Sequence, residues 1–162
     1  MTPLLTLFTA PKPFTNPHIA TIQRNAIASW KELGESVQVI VLGSDAGIAE
    51  ATAELGVLHI PDVRCNASGT PLISSLFELA RQASDTPLYM IINTDIILFP
   101  EILTSIEETV KQTKQFLMVG QRWDLDIKDW IDFSGDWQSE LKTRLKDSGR
   151  LHPRGGSDYF IF

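Results

Sequence analysis

Apolar residues along the chain fall into six short runs in which polar residues rarely alternate with apolar ones. The runs lie at Leu4–Thr9, Val37–Leu42, Val57–Ile60, Leu88–Ile92, Phe116–Val119 and Tyr159–Phe162. Weak alternation is typical of strands that are covered on both faces, as in the centre of a parallel sheet. The pattern therefore predicts six strands of a mainly parallel sheet.

Between these runs, apolar residues recur at the three- to four-residue spacing of helices. The spacing predicts a first helix over 19–33 that ends at Gly34, and a second that Thr70 caps and Pro71 opens. Further helices are predicted from about Pro100 and over 137–145, closed by Gly149. Strands that alternate with helices predict an α/β fold with a mainly parallel central sheet and helices on both faces.

The chain length and its two ends bear on domain organisation. With 162 residues, 43% of them hydrophobic, the chain has the size of one domain, so we expect a single domain over 1–162. Residues 121–135 have no clear period and predict a flap or insertion. Because the sequence ends inside the apolar run 159–162, we expect a fragment or a shortened relative of something longer.

Charge and cysteine content narrow the partners and the compartment. Twenty acidic and 14 basic residues give a net charge of -6, which disfavours nucleic acid as a partner. A nucleoside diphosphate remains compatible, provided that a divalent cation offsets the repulsion. The single cysteine, Cys65, cannot form an intrachain disulfide, and the first apolar run is too short to span a membrane. We therefore expect a cytoplasmic protein, whose oligomeric state the sequence leaves open.

The triplet Asn93-Thr94-Asp95 is the strongest candidate for chemistry. It follows the apolar strand 88–92 and precedes the apolar residues 96–99. A carboxylate at the carboxyl end of a central strand can hold Mg²⁺ or Mn²⁺ and leave positions open for phosphate oxygens. The alternative is a simple turn, in which Asx side chains bond to nearby backbone. An apolar setting would bury the triplet, and a buried carboxylate needs a partner, which favours the metal.

Several segments, taken in order, carry a resemblance to a known superfamily. Strand, Asn-Thr-Asp and a following short apolar strand resemble the DxD region of GT-A glycosyltransferases, the nucleotide-diphospho-sugar transferases. The wider resemblance is to a group of GT-A-like proteins of plants and bacteria, and rests on residues 10–14, 23–26, 69–72, 119–124 (VGQRWD) and 156–159. It covers nearly the whole chain and implies a nucleotide-binding half over 1–99 and an acceptor-side half over 100–162.

The resemblance implies roles for the first half of the chain. Asp95 corresponds to the DxD aspartate that binds Mn²⁺ or Mg²⁺, which bridges the donor diphosphate. Asn93 replaces the first aspartate of the motif, which removes one charge but leaves an amide that accepts from a ribose hydroxyl. Residues Thr9, Ala10 and Pro11 resemble the loop along the nucleobase and ribose of a UDP- or GDP-sugar, although a proline-rich strand exit explains them too.

Three more residues of this half are candidates for nucleotide contact. Arg24 could clamp a phosphate or hold Asp95, or be a solvated residue of its helix. Ser44 and Asp45 follow the second strand, where the resemblance implies a residue near the base, and a plain turn explains them almost as well.

The second half supplies the candidates for catalysis. Arg122 and Asp124, beside Trp123, form a candidate sugar platform at the same sheet edge as Asp95. Asp158 resembles the acidic residue that GT-A enzymes place near the acceptor, and is the candidate general base, with Asp124 and Asp126 as its competitors. His152 is a candidate metal ligand or a solvated loop residue, and Trp130 is expected in the core.

The sequence therefore predicts a glycosyltransferase that moves a sugar from a nucleoside-diphosphate donor to an unknown acceptor. One alternative is a domain of the same fold that binds a nucleotide sugar or a partner without turnover, which the Asn93 replacement favours. The other is a sugar-phosphate nucleotidyltransferase, a class that usually opens with a glycine-rich basic loop. The segment Ala10-Pro11-Lys12-Pro13 lacks those glycines.

Overall fold

The computed structural model describes residues 3–162 and contains eight strands and five helices in this part of the chain. The strands are β1 (Leu5–Thr9), β2 (Val37–Leu42), β3 (Leu58–Ile60), β4 (Leu88–Ile92), β5 (Met118–Gly120), β6 (Trp123–Asp124), β7 (Arg150–Leu151) and β8 (Tyr159–Ile161). The helices are α1 (Pro17–Lys31), α2 (Ile48–Leu55), α3 (Ile73–Ala83), α4 (Glu101–Gln112) and α5 (Trp137–Ser148).

Six strands form one central sheet in the order β3-β2-β1-β4-β8-β5. Strands β1 to β4 pair in parallel, whereas β8 runs antiparallel to both of its neighbours, β4 and β5. The strand order reverses between β1 and β4, which creates a crevice beyond the carboxyl ends of these strands. The predicted mainly parallel sheet is confirmed, and its topology puts the end of β4 at this reversal point.

Helices cover both faces of the sheet, as predicted. On one face, apolar residues of α1, α2 and α4 pack against β1, β2 and β4, with Trp30 of α1 fully buried among them. On the other face, Leu76 and Ala80 of α3 pack against Phe8 of β1 and Ile40 of β2. The alternation of Leu7 and Phe8 between the two clusters shows that β1 is covered on both sides, which explains its continuous apolar run.

Helix α1 also fixes loops around the carboxyl edge of the sheet through buried polar side chains. The Nε2 and Oε1 atoms of Gln23 bond the backbone carbonyl and N–H of Lys12 at 2.9 and 2.7 Å. Asn25 does the same across the flap: its Nδ2 donates to the carbonyl of Asp129 at 2.9 Å, and its Oδ1 accepts from the N–H of Ile131 at 3.0 Å. One helix therefore sets the position of two loops that are distant in sequence.

The segment 96–99, expected to be a short strand, is held by α1 and not by a sheet. The indole Nε1 of Trp30 donates to the carbonyl of Ile96 at 2.9 Å, and the N–H of Leu98 donates to Oγ of Ser29 at 3.1 Å. Because helix side chains satisfy these backbone groups, the segment needs no partner strand. The expectation of a strand here is wrong for that reason.

The start of one helix was predicted wrongly, and another helix was not predicted at all. Helix α3 begins at Ile73, and Leu72 occupies its cap position in an extended conformation, because Pro71 pairs with Cys65 in a β-bridge and cannot open the helix. Helix α2 was not predicted, since its eight residues are too short to show a clear period.

Trp130 was expected in the core, and this expectation is wrong. The residue is 53% exposed, and its ring contacts Phe133 edge to face.

The flap after β5 is built from the small antiparallel pair β6–β7, with α5 between the two strands in sequence. Helix α5 ends at Gly149, as predicted, and its Trp137 stacks on Phe99 with ring centroids 5.5 Å apart. Within residues 3–162, no helix combines the length and the apolar character that a membrane span requires.

Candidate active site

A cavity of about 930 Å³ lies at the carboxyl edge of the sheet, between the end of β4, the flap and helices α4 and α5. Five of the residues singled out in the sequence line it: Asn93, Asp95, Arg122, Asp124 and Asp158. The volume falls in the range of about 300–1,000 Å³ that is typical of small-molecule sites. The cavity therefore brings these five side chains together.

The topology explains why residues so distant in sequence meet here. Strands β4 and β5 both run antiparallel to β8, so their carboxyl ends lie at one edge, where the amino end of β8 also lies. Asp95 follows β4, Arg122 follows β5, and Asp158 precedes β8. The expectation that Arg122 projects at the same edge as Asp95 is confirmed.

The turn that carries Asp95 is held by β1 through Thr94 and is exposed at Asn93 and Asp95. Thr94 is buried and its Oγ1 lies 2.6 Å from Oγ1 of Thr9, which also donates to the carbonyl of Ile92 at 2.7 Å. Because the middle residue of the triplet points inward, the residues on either side, Asn93 and Asp95, are exposed. Among residues 3–162, the Asp95 carboxylate makes no side-chain hydrogen bond or ion pair, and the residue is exposed and lines the cavity.

The second part of the site is an ionic cluster centred on Arg122. Its Nε donates to Oδ1 of Asp124 at 2.8 Å, and its Nη1 donates to Oδ1 of Asp158 at 2.5 Å. These two carboxylates raise the pKa of Arg122, and the hydrogen bond to Asp124 is the larger cause. The charge of this guanidinium is thus already matched by two aspartates.

His152 completes the cluster from the loop after β7. Its Nδ1 lies 2.8 Å from Oδ2 of Asp124, and its ring lies beside the Nη2 of Arg122. A side chain at position 156 would come within 2.6 Å of the imidazole, so Gly156 allows the loop to close over His152. The hydrogen bonds from His152 and then from Arg122 hold the pKa of Asp124 below its usual range.

Asp158 is the most buried carboxylate of the site. The residue is 5% exposed, its Oδ1 accepts from Nδ2 of Asn93 at 3.3 Å as well as from Arg122, and its Oδ2 has no hydrogen-bond partner in the described part of the chain. An unpaired buried acceptor costs about 1–3 kcal/mol. The carboxylate is therefore held by a cation on one oxygen and lacks a donor on the other.

The remaining predicted nucleotide contacts lie outside this cavity. Thr9 is buried beneath the Asn93–Asp95 turn, and Ala10 and Pro11 follow it in a loop that Gln23 fixes through Lys12. Ser44 and Asp45 are exposed in the loop after β2.

Arg24 also lies away from the cavity. Its Nε bonds Glu54 of α2 at 3.1 Å, and its guanidinium lies 5.0 Å from the centre of the Phe14 ring. Arg24 therefore contacts α2 and the loop after β1. It does not hold Asp95, which was one of its two expected roles.

Sequence reasoning missed several residues of the site. Tyr159, the first residue of β8, lines the cavity, and its ring crosses Gly120, where any side chain would lie 1.8 Å away. Burial raises the pKa of its phenol. Asn25 was also missed, although a polar residue on the apolar face of a predicted helix is a usable signal for a structural hydrogen bond.

The donor set at Asp95 fits a cation that arrives with its ligand. Within residues 3–162, no group of three or more histidine, cysteine, aspartate or glutamate side chains could hold a metal ion by itself, and His152 contacts Asp124 and Arg122. Mg²⁺ and similar ions are commonly held by one or two carboxylates, with waters and substrate phosphates completing the shell. An exposed carboxylate without a protein partner suits that arrangement, whereas a preformed cage of protein ligands does not exist here.

Comparisons with known proteins give matches among solved structures but none in sequence. No family model matches the chain, and no curated protein matches it either. A solved structure from Desulfovibrio desulfuricans G20, provisionally named a nucleotide-diphospho-sugar transferase, is similar with a TM-score of 0.46 and 12% sequence identity. The match covers 68% of this chain and 55% of that one, so the chain spans about half the length of the neighbour.

Proposed function

We propose that this chain is a glycosyltransferase domain that binds a UDP- or GDP-sugar through a divalent cation held by Asp95. The observation that carries the proposal is an exposed, unpartnered carboxylate at the strand-order reversal of the sheet, lining a cavity of about 930 Å³. Ligands of open α/β sheets bind at such reversal points. The resemblance of residues 93–95 to the DxD region supports the same assignment.

The proposed reaction transfers the sugar to a hydroxyl group of the acceptor. The acceptor oxygen forms a bond to the anomeric carbon, the bond from that carbon to the diphosphate oxygen breaks, and the hydroxyl proton passes to a base. When bound, Mn²⁺ or Mg²⁺ would stabilise the charge of the departing diphosphate, with Asp95 as its protein ligand. Asn93 would accept from the ribose, and Trp123 and Arg122 would contact the sugar.

The identity of the base separates catalysis from binding alone. Asp158 and Asp124 are the candidates, yet both carboxylates are paired with Arg122. A carboxylate oxygen that already accepts a hydrogen bond from a guanidinium is less available to the proton of an acceptor hydroxyl. This observation favours a second candidate function, a domain that binds a nucleotide sugar without transferring it.

Thermal unfolding with candidate donors tests the proposal. UDP-glucose and GDP-mannose, each with and without Mn²⁺, are added to the wild type and to Asp95→Ala. A ligand at about 100 times its Kd stabilises the folded state by about 2.7 kcal/mol, so a bound donor raises the melting temperature measurably. We expect a Mn²⁺-dependent rise for one donor in the wild type and none in Asp95→Ala. A wild type that no donor stabilises would contradict the proposal.

Release of UDP or GDP from the stabilising donor then separates the two functions. Turnover with the donor alone or with added hydroxyl acceptors supports the transferase. Stabilisation without any release over a long incubation supports the binding domain.

A further inference from the structure

The two ends of the cavity differ in chemistry. The strand ends contribute polar and charged residues: Asn93, Asp95, Gln121, Arg122, Asp124 and Asp158. The segments farther from the sheet contribute six aliphatic residues, interspersed with Glu101, Ser105, Asp126 and Ser148: Ile97, Ile102, Leu125, Ile127, Leu141 and Leu145. A cavity of this kind suits a ligand with one polar and one apolar part.

The apolar end has walls that packing holds in place. Helix α5 is attached to the start of α4 by the ion pair of Lys142 with Glu101, and Trp137 stacks on Phe99. Leu141 is buried on the side of α5 that faces the cavity, whereas Leu145 and Ile127 are only partly covered. Apolar side chains therefore remain accessible inside a cavity that exists before any ligand binds.

The polar end favours a neutral head group that carries hydroxyls. The strand ends contribute three aspartates (Asp95, Asp124 and Asp158) and one arginine (Arg122) to the cavity. This excess of acids disfavours an anionic head group that brings no cation. The unpartnered Oδ2 of the buried Asp158 is an acceptor at this end, and hydroxyl groups are the matching donors.

We propose that this cavity binds an amphiphilic acceptor, with its hydroxyl-bearing head at the strand ends and its alkyl or aryl part between α4, α5 and residues 125–127. The role of this ligand as an acceptor rests on the proposed function, whereas its binding to the cavity does not. The proposal gives the site a substrate class: a small glycoside, lipid or phenolic compound with an apolar body.

The probes are octyl β-glucoside, kept below its micelle concentration, and methyl β-glucoside, which has the same head group. Each is titrated calorimetrically into the full chain. Burial of each methylene improves affinity about three- to fourfold, so we expect saturable 1:1 binding of the octyl compound at least tenfold tighter than that of the methyl compound. Equal affinities, or octyl binding that does not saturate, would overturn the proposal.

Matched leucine variants locate the binding. Leu145→Gln changes a partly covered residue of the apolar end, and Leu117→Gln changes a 63% exposed leucine outside the cavity. We expect Leu145→Gln to weaken octyl glucoside binding at least fivefold without changing methyl glucoside binding, and Leu117→Gln to change neither. Ile127→Gln repeats the test if Leu145→Gln does not fold. Equal effects of the cavity and control variants would refute the location.

The same variants distinguish this proposal from the proposed function. UDP with Mn²⁺ should bind Leu145→Gln as it binds the wild type, since the substitution lies at the apolar end. Octyl glucoside binding without any nucleotide binding would support the amphiphile site and contradict the transferase. Nucleotide binding without a preference for the octyl compound would support the proposed function and contradict the amphiphile site.

Discussion

Two carboxylates at the same cavity, Asp95 and Asp158, have opposite environments. Asp95 is exposed on a turn that Thr9 and Thr94 fix from below, and its oxygens have no protein partner among residues 3–162. The side chain of Asp158 is 4% exposed and bonded to Arg122. The comparison separates a carboxylate that is available to a cation from one that the protein has already neutralised. Charge at a strand end is therefore informative only together with the partners that surround it.

The largest expected effect concerns Asp158, the carboxylate that Arg122 neutralises. Arg122→Met removes the cation from buried Asp158 and should lower the free energy of unfolding by about 3 kcal/mol, because breaking a buried pair strands the remaining charge. Arg24→Met is the matched control, since the side chain of its partner, Glu54, is 61% exposed. Exposed pairs contribute about 0–1 kcal/mol, so the control should change little. Urea unfolding measures both.

Equal losses in Arg122→Met and Arg24→Met would show that the cluster around Arg122 does not stabilise Asp158 more than an ordinary surface pair does. The claim that Asp158 is a neutralised carboxylate, in contrast to Asp95, would then be contradicted.

A second pair of variants tests how the flap is held over the site. Asn25→Ala leaves the carbonyl of Asp129 and the N–H of Ile131 without partners and should cost about 1–2 kcal/mol. Asn93→Ala removes one 3.3 Å bond of an exposed side chain and should cost less than about 0.5 kcal/mol. Chemical denaturation gives both values. A larger loss in Asn93→Ala would contradict the account of the flap.

The smallest expected effect lies at the apolar end, where Lys142 bonds Glu101 on the surface. This hydrogen bond holds the pKa of Glu101 below its ordinary value of 4.5. A depressed carboxyl pKa contributes stability that is present above the ordinary value and is lost as the pH falls through the lower, folded value. Glu101→Gln should therefore cost less than about 1 kcal/mol at neutral pH.

The control for this prediction is the pH itself. The difference in unfolding free energy between wild type and Glu101→Gln should shrink as the pH is lowered below 4.5 and the Glu101 carboxyl becomes protonated. A difference that grows on acidification would contradict the assignment of the ion pair.

Local patterns in the sequence predicted much of the sheet. Continuous apolar runs located β1, β2 and β4, because these strands are buried on both faces. The direction of β8 could not be predicted, since a short apolar run has the same pattern in parallel and antiparallel pairing. The apolar pattern of residues 96–98 likewise could not show that they lie outside the sheet, since their backbone bonds to Ser29 and Trp30 of a helix that is distant in sequence.

The candidate site was predicted only in part. Sequence order and the resemblance brought together Asn93, Asp95, Arg122, Asp124 and Asp158, and all five line one cavity. Their pairing could not be predicted, because the contact of Arg122 with Asp158 joins residues 36 positions apart. The apolar wall from α5 was missed too, since its leucines have the same helical pattern whether they face a core or a cavity.

The central claim is that Asp95 holds a divalent cation for a nucleoside diphosphate. Calorimetric titration of UDP and GDP, with and without Mn²⁺, into wild type, Asp95→Asn and the exposed control Asp62→Asn tests it most directly. The account predicts that one nucleotide binds the wild type and Asp62→Asn in a Mn²⁺-dependent manner, and binds Asp95→Asn at least tenfold more weakly, a loss of about 1.4 kcal/mol or more. Equal affinity of Asp95→Asn and wild type for that nucleotide with Mn²⁺ would contradict it.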